Sequence, residues 1–165
     1  MNIREVEQKD FPEWHRLRCS LYPECKKEQL HSELESIYFR RTVVGELDYS
    51  VWVAEQSPEK LVGFVEMSIR NNVEEYESDR VGYVESLFVD ENFRRNGVAR
   101  DLVKNGLEWI FQNNCTEVIV DTYKSYVGAC AFYLNLGFVE ILQRENEVFY
   151  KKNCGSENES RCFAV

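Results

Sequence analysis

The sequence predicts an α/β domain with one mixed, mostly antiparallel central sheet of about six to seven strands, flanked by about four helices. Three observations carry that expectation. Apolar residues repeat at helical spacing in some segments and alternate in others. The segments follow one another as strand, two helices, three strands, helix, strand, helix, two strands. The chain has 165 residues, enough to bury a sizeable core, with no internal repeat or boundary.

Ile3–Val6 reads as a short strand. Asp10 and Glu13 have the spacing of a capping box, and Pro12 is tolerated in the first helical turn. The helix that follows presents Phe11, Trp14, Leu17 and Leu21, and Pro23 ends it. A second helix, from about Lys26, places Leu30, Leu34, Ile37 and Tyr38 on one face. The period then changes. Ser50–Glu55 alternates, Ser57–Lys60 is a turn, and Leu61, Gly63, Val65, Met67 and Ile69 line one face of a long strand, which makes a hairpin.

Asn71–Arg80 is a polar, acidic connection before the strand Gly82–Val89, and a helix follows to about Asn113. Glu117–Asp121 reads as a short buried strand, Val127–Asn135 as a helix, and Phe138–Arg144 with Glu147–Lys152 as a closing hairpin. Residues 1–153 form the expected single domain. The tail 154–165 has no period and is expected to be flexible.

Composition excludes several classes of function. A net charge of −9 disfavours a nucleic-acid footprint and suits a cationic ligand. No apolar run approaches the ~18 residues of a membrane span, and the N-terminus lacks a signal-like apolar stretch. The six cysteines form no C-x-x-C pair and only His15 and His31 offer imidazole, so no metal site is expected. Free thiols in a reducing, cytoplasmic compartment are the expectation.

The stretch FRRNGVAR, Phe93–Arg100, is either an anion site or a surface turn with a solvated arginine pair. It stands where the apolar strand turns into a helix, and a helix start exposes unpaired N–H groups at the positive end of the helix dipole. Such a start holds anions. Gly97 lets the backbone approach a phosphate, Ala99 keeps bulk away, and Arg94 and Arg95 add charge on the rim. The pattern lacks the lysine of a P-loop and the spaced glycines of a dinucleotide fold.

Arg94-x-x-Gly97-x-Ala99 after an apolar strand, followed later by Tyr133-x-x-x-Gly137-Phe138, resembles the GNAT acetyltransferase superfamily. The segments Leu17–Pro23, Ser68–Arg70, Gly82–Val89 and the closing EVFYKK look, in that order, like the bacterial aminoglycoside 6'-N-acetyltransferases. The resemblance implies acetyl-CoA as co-substrate, with its pyrophosphate on Arg94, Arg95, Asn96, Gly97, Val98 and Ala99. It also implies that the backbone of Leu87, Phe88 and Val89 holds the pantetheine arm. Tyr126 stands where many members of the superfamily have a cofactor-binding asparagine, and Tyr22 where the aminoglycoside group often has tryptophan. A homodimer is a further implication.

Acetyl transfer needs a neutral amine, a polarised thioester carbonyl and a protonated leaving thiolate. Glu85, the only carboxylate in Gly82–Val89, is either the candidate base, desolvated among Tyr83, Val84, Leu87 and Phe88, or an outward-facing residue of a two-sided strand. Tyr133 matches the tyrosine that protonates the departing thiolate, or it packs against the sheet. A backbone N–H near Leu87 is the expected carbonyl polariser. Asp121 either meets the substrate's ammonium groups or caps the next helix. Glu74, Glu75, Glu77 and Asp79 form an acidic loop that attracts the same cation or is merely solvated. Tyr22 offers an aromatic wall for a sugar ring, whereas Trp14 reads as core. The expected function is 6'-N-acetylation of aminoglycosides. The alternatives are acetylation of another amine, such as a polyamine or protein N-terminus, or a non-catalytic CoA-binding module.

Overall fold

The computed structural model describes residues 1–39, 48–71 and 78–153. Its elements are β1 (Asn2–Glu5), α1 (Phe11–Leu21), α2 (Lys27–Tyr38), β2 (Asp48–Ser57), β3 (Lys60–Asn71) and β4 (Arg80–Val89). There follow α3 (Val98–Gln112), β5 (Glu117–Tyr123), α4 (Val127–Asn135), β6 (Val139–Gln143) and β7 (Glu147–Asn153). The expected order is found, and the strands make one sheet in the order β1-β2-β3-β4-β5-β7-β6. All neighbours are antiparallel except β4 and β5, which run parallel. The expected flexibility of 154–165 lies outside the described residues, as do Glu74, Glu75 and Glu77 of the acidic loop.

Both faces of the sheet are covered, and β3 is buried from Leu61 to Ile69. Val62, Val65, Met67 and Ile69 pack with Leu102, Leu107 and Ile110 of α3. On the opposite face Phe64 and Leu61 pack with Trp14 and Leu17 of α1 and Leu34 of α2. Leu61 therefore does not share a face with Val65, Met67 and Ile69 as the alternation suggested. Register shifts in β2 at Ala54/Glu55 and Glu55/Ser57 break the alternation there.

The N-terminal capping box also differs from expectation. Asp10 does not reach Glu13. It accepts the Glu7 amide at 2.8 Å and forms a two-armed ion pair with Arg4 at 2.7 and 2.9 Å, closing a 3-10 turn before α1. Glu13 instead accepts from Arg16 and from the Leu61 amide.

Gly82 sets how closely α3 approaches the sheet beside the β4–β5 seam. A Cβ there would lie 2.4 Å from Ile110 Cγ2 and 2.7 Å from its Cδ1. Ile110 is fully buried and branched at Cβ, so it has little freedom to move away. Gly82→Ala is expected to cost roughly 1–3 kcal/mol through overpacking. Thermal melts should show this as a loss of several degrees, and an unchanged midpoint would mean that α3 shifts freely.

Candidate active site

The sheet opens at the parallel seam between β4 and β5, the only one among the described residues. β4 pairs with β5 at Gly82–Val118 and Tyr83–Ile119 and nowhere beyond. β5 stays paired with β7 through Tyr123, and β4 stays paired with β3 through Val89. Among the described residues no strand covers the β5-facing edge of Val84–Val89. Because the two strands run parallel, the helices that follow them, α3 and α4, both begin at this end of the seam. A crevice beyond the carboxyl ends of parallel strands is where α/β sheets commonly bind ligands.

A β-bulge turns the polar side chains of β4 to one side. Glu66 pairs with Ser86 and Met67 with Val84, so Glu85 is the extra residue. Without the bulge, Tyr83, Glu85 and Leu87 would share a face. With it, Glu85 and Ser86 both reach partners on the α1 side, whereas Leu87 joins the α3 core.

The turn before α3 has the backbone expected of an anion cradle. Gly97 sits at φ +80°, a left-handed conformation that disfavours any side chain, and Arg95 sits at φ +63°. The first turn closes with the Asp101 amide donating to Gly97 O at 3.0 Å. The amides of Arg95, Asn96, Gly97, Val98, Ala99 and Arg100 meet no acceptor among the described residues. Val98 is buried and contributes only its backbone. Arg94 is not a free rim charge: its Nε donates to Val89 O at 2.8 Å and its guanidinium lies over Phe88. Leu87 and Phe88 point their side chains into the two core clusters, which leaves their backbone to face the crevice. Tyr126, the residue before α4, is largely exposed and meets Tyr123 edge-to-face.

Glu85 is not isolated among apolar neighbours. It accepts Ser68 Oγ–H, and Arg70 donates to its Oε1 from Nε at 3.1 Å and from Nη2 at 2.9 Å. Arg70 Nη2 also reaches Oε2 at 2.8 Å. The expected desolvated carboxyl is thus an ion-pair partner. Arg70 Cζ in turn lies over the Tyr83 ring, 3.5 Å from its centroid.

Tyr83 donates its hydroxyl to Asp121 Oδ1. Asp121 belongs to β5, paired with Phe149, and Tyr126 stands at the cap position of α4, so the capping role is excluded. Asp79 is exposed just before the start of β4, at the end of the strand away from this group.

A deeper layer supports the wall. Arg18 of α1 meets Glu66 at 2.5 Å with both side chains nearly sealed from solvent, and Trp14 Nε1 donates to Glu66 at 2.9 Å. Arg18 also reaches Glu33 of α2 at 2.7 Å and lies over the Tyr22 ring. Tyr22, just past α1, shares a 2.6 Å hydrogen bond with Ser86, which seats it beside Glu85. Trp14 is fully buried, as core packing requires.

Tyr133 packs against its neighbours, one of its two expected alternatives, and is buried. Its ring packs with Phe132, Phe138 and Tyr150. Burial first, then the charge of Asp121 and the nearness of Tyr22, push its phenol well above the usual tyrosine range. Its hydroxyl therefore stays protonated through the neutral range. Among the described residues no group of His, Cys, Asp and Glu is arranged to hold a metal.

Sequence reasoning missed Ser68, Arg70, Tyr83 and Ser86 as site residues. A signal existed for two of them. Glu66, Ser68 and Arg70 occupy alternate positions of a strand whose intervening residues are apolar, which marks a polar row on one face.

Comparison with known proteins agrees with this geometry. The profile of the Acetyltransferase (GNAT) family matches residues 8–138. An aminoglycoside N(6')-acetyltransferase type 1 of Klebsiella aerogenes is 30% identical over 141 residues, covering 86% of this chain and 91% of that protein. The apo crystal structure of aminoglycoside antibiotic 6'-N-acetyltransferase AAC(6')-IG from Acinetobacter haemolyticus superposes with a TM-score of 0.76 at 26% identity, over 88% of this chain and 95% of that one. AAC(6')-Iy in complex with the bisubstrate analogue CoA-S-monomethyl-acetylneamine gives a TM-score of 0.74 at 25% identity, over 88% and 97% of the two chains.

The buried phenols predict how stability responds to alkali. Burial also pushes Tyr49 and Tyr150 up to about 12, from an ordinary value of 10.0. The folded protein thus keeps protons that the unfolded chain releases. The associated stability is complete below about pH 10 and is lost as pH rises towards about 12 and beyond. Melting temperatures should fall across that window, and Tyr133→Phe, which cannot ionise in either state, should shallow the decline. An unchanged slope in the variant would show that Tyr133 is not a source of it.

Proposed function

The chain belongs to the acetyltransferase (GNAT) family, and on that premise we propose that it moves the acetyl group of acetyl-CoA to the 6'-amine of aminoglycoside antibiotics, acting as a resistance enzyme. The observation that carries this reading is the pair Glu85 and Asp121. Two carboxylates stand on adjacent strands at the seam, one ion-paired and one held by a tyrosine hydroxyl, beside a helix start rich in free amides. That combination suits a polycationic acceptor and an anionic donor.

The chain's residues fit acetyl-CoA. The free amides from Arg95 to Arg100 suit a pyrophosphate, and a Cβ at Gly97 would intrude to within 3.0 Å of the Arg100 guanidinium. The uncovered edge of β4 at Leu87–Val89 suits the amides of a pantetheine arm, and Tyr126 at the start of α4 would contribute a further contact. Once bound, acetyl-CoA supplies a thioester whose carbonyl carbon an amine can attack. The Leu87 amide would polarise that carbonyl. Glu85 would orient the amine and receive its proton, directly or through a water, as the C–N bond forms and the C–S bond breaks. The Tyr133 hydroxyl would give a proton to the thiolate. Because its pKa is raised, its main contribution is a hydrogen bond that strengthens as negative charge develops on sulfur. Asp121 and Tyr22 would hold the rest of the aminoglycoside.

Residues 1–153 would form this catalytic unit, active in the cytoplasm as a homodimer. The four free cysteines among the described residues suit a reducing compartment. The edge strand β6 exposes Val139, Ile141 and Leu142, next to Leu134 of α4, and pairing with a second copy would cover that apolar edge. The acidic balance suits a cationic small molecule better than nucleic acid or an anionic membrane surface.

A thiol-release assay tests the proposal with four acceptors: a kanamycin-type compound bearing a 6'-amine, its 6'-hydroxyl analogue, spermidine and a peptide amine. The first is expected to react rapidly and the others with kcat/KM lower by at least about tenfold. Equal turnover of the hydroxyl analogue would remove the 6' assignment. Preference for spermidine or peptide would mark an acetyltransferase for another amine. Absence of thiol release despite acetyl-CoA binding would mark a non-catalytic module.

A further inference from the structure

We infer that Ser68 and Arg70 are positioning residues for Glu85, committing its Oε1 to the protein and leaving Oε2 to meet the acceptor amine. The inference rests on the reading that Glu85 faces that amine. A carboxylate offers about two acceptor sites on each oxygen. Oε1 takes three donors: Ser68 Oγ, Arg70 Nε at 3.1 Å and Arg70 Nη2 at 2.9 Å. It has no capacity left. Oε2 takes one, Arg70 Nη2 at 2.8 Å, and keeps a free lone pair. The Glu85 side chain is 19% exposed, so it is not sealed in the core.

The arrangement is built by the sheet rather than by chance contact on a surface. Ser68 and Arg70 lie two apart on β3 and so share its polar face. Tyr83 pairs with Ser68 and Val81 with Arg70, so Glu85, two residues beyond Tyr83, stands on that same face. Arg70 then cannot choose another rotamer cheaply, because its Cζ lies 3.5 Å from the Tyr83 ring centroid while both its Nε and Nη2 are engaged. Lysine would keep the charge but lose the fork. Tyr83 itself is tied to Asp121, so one chain of contacts runs from β3 across β4 to β5 and relates the two carboxylates to each other.

A double-mutant cycle separates this inference from its premise. Thiol release with the 6'-amine acceptor is measured for Glu85→Gln, Arg70→Ala, Ser68→Ala and the Glu85→Gln/Arg70→Ala pair, with acetyl-CoA affinity and melting temperature measured for each. Glu85→Gln is expected to lower kcat/KM at least about tenfold. Wild-type rates in that variant would overturn the premise and the inference together. Given that loss, Arg70→Ala should also lower kcat/KM at least about tenfold, yet cost less than about threefold once Glu85 is already Gln. Ser68→Ala should lose about two- to fivefold. Added guanidinium chloride at millimolar levels should restore part of the Arg70→Ala activity and none of the double variant's. Acetyl-CoA affinity should stay unchanged throughout. Additive losses in the pair, or wild-type kcat/KM in Arg70→Ala, would overturn the inference with the premise intact. Should Arg70→Ala fail to fold, Arg70→Lys carries the test, and full activity in that variant would overturn it equally.

Discussion

The extra residue in β4 is the constraint on which the rest of the structure depends. Bulges bend a strand and increase its local twist. Here the bulge lies between Val84 and Ser86, immediately past the last residue of β4 that pairs with β5. One inserted residue therefore does two things. It accompanies the parting of the two parallel strands, which opens a crevice without breaking the sheet, since β4 remains paired to β3 and β5 to β7. It also changes which side chains face α1, so that Glu85 and Ser86 are both presented to the polar layer while Leu87 and Val89 continue in the α3 core.

That polar layer is costly to bury and correspondingly specific. Arg18 and Glu66 lie within 2.5 Å of each other in a nearly water-free setting, and desolvating two charges commonly offsets their mutual attraction. Their value lies in geometry. Glu66 binds Trp14 and Arg18 of α1, Arg18 reaches Glu33 of α2, and Tyr22 at the end of α1 engages Ser86. The helix pair is thereby registered against the bulge rather than merely pressed onto an apolar sheet. Removal of one partner would leave a buried charge unpaired, so the layer resists drift between β4 and the helices α1 and α2.

The fold was legible in the sequence because its periods are clean. All seven strands and four helices fall where alternation and helical spacing put them, with ends shifted by a few residues. The α3 turn was legible as well, since Gly97 and the arginines interrupt an apolar pattern at a strand-to-helix junction. The bulge was not. YVESLFV continues as a plausible strand in either register, and nothing local says that Glu85 and Ser86 will share a side. The pairing of Arg70 and Ser68 with Glu85 was hidden for a related reason: the polar row on β3 can be read, but its partner sits on another strand, and sequence separation carries no register. The misread capping box has the same origin, because Asp10 prefers Arg4, which only the β1–α1 junction brings within reach.

The central claim is that the parting of β4 from β5 creates the acetyl-CoA site, with the arm along Val84–Val89 and the pyrophosphate on the amides of Arg95–Arg100. Amide hydrogen exchange, followed by mass spectrometry with and without saturating coenzyme A, tests it directly. Those two segments contain amides with no strand or helix partner, so ligand contacts should slow their exchange markedly, while the α1 face and the β6 edge stay unchanged. Slowing confined to other segments, with 84–89 and 95–100 unaffected at saturation, would contradict it.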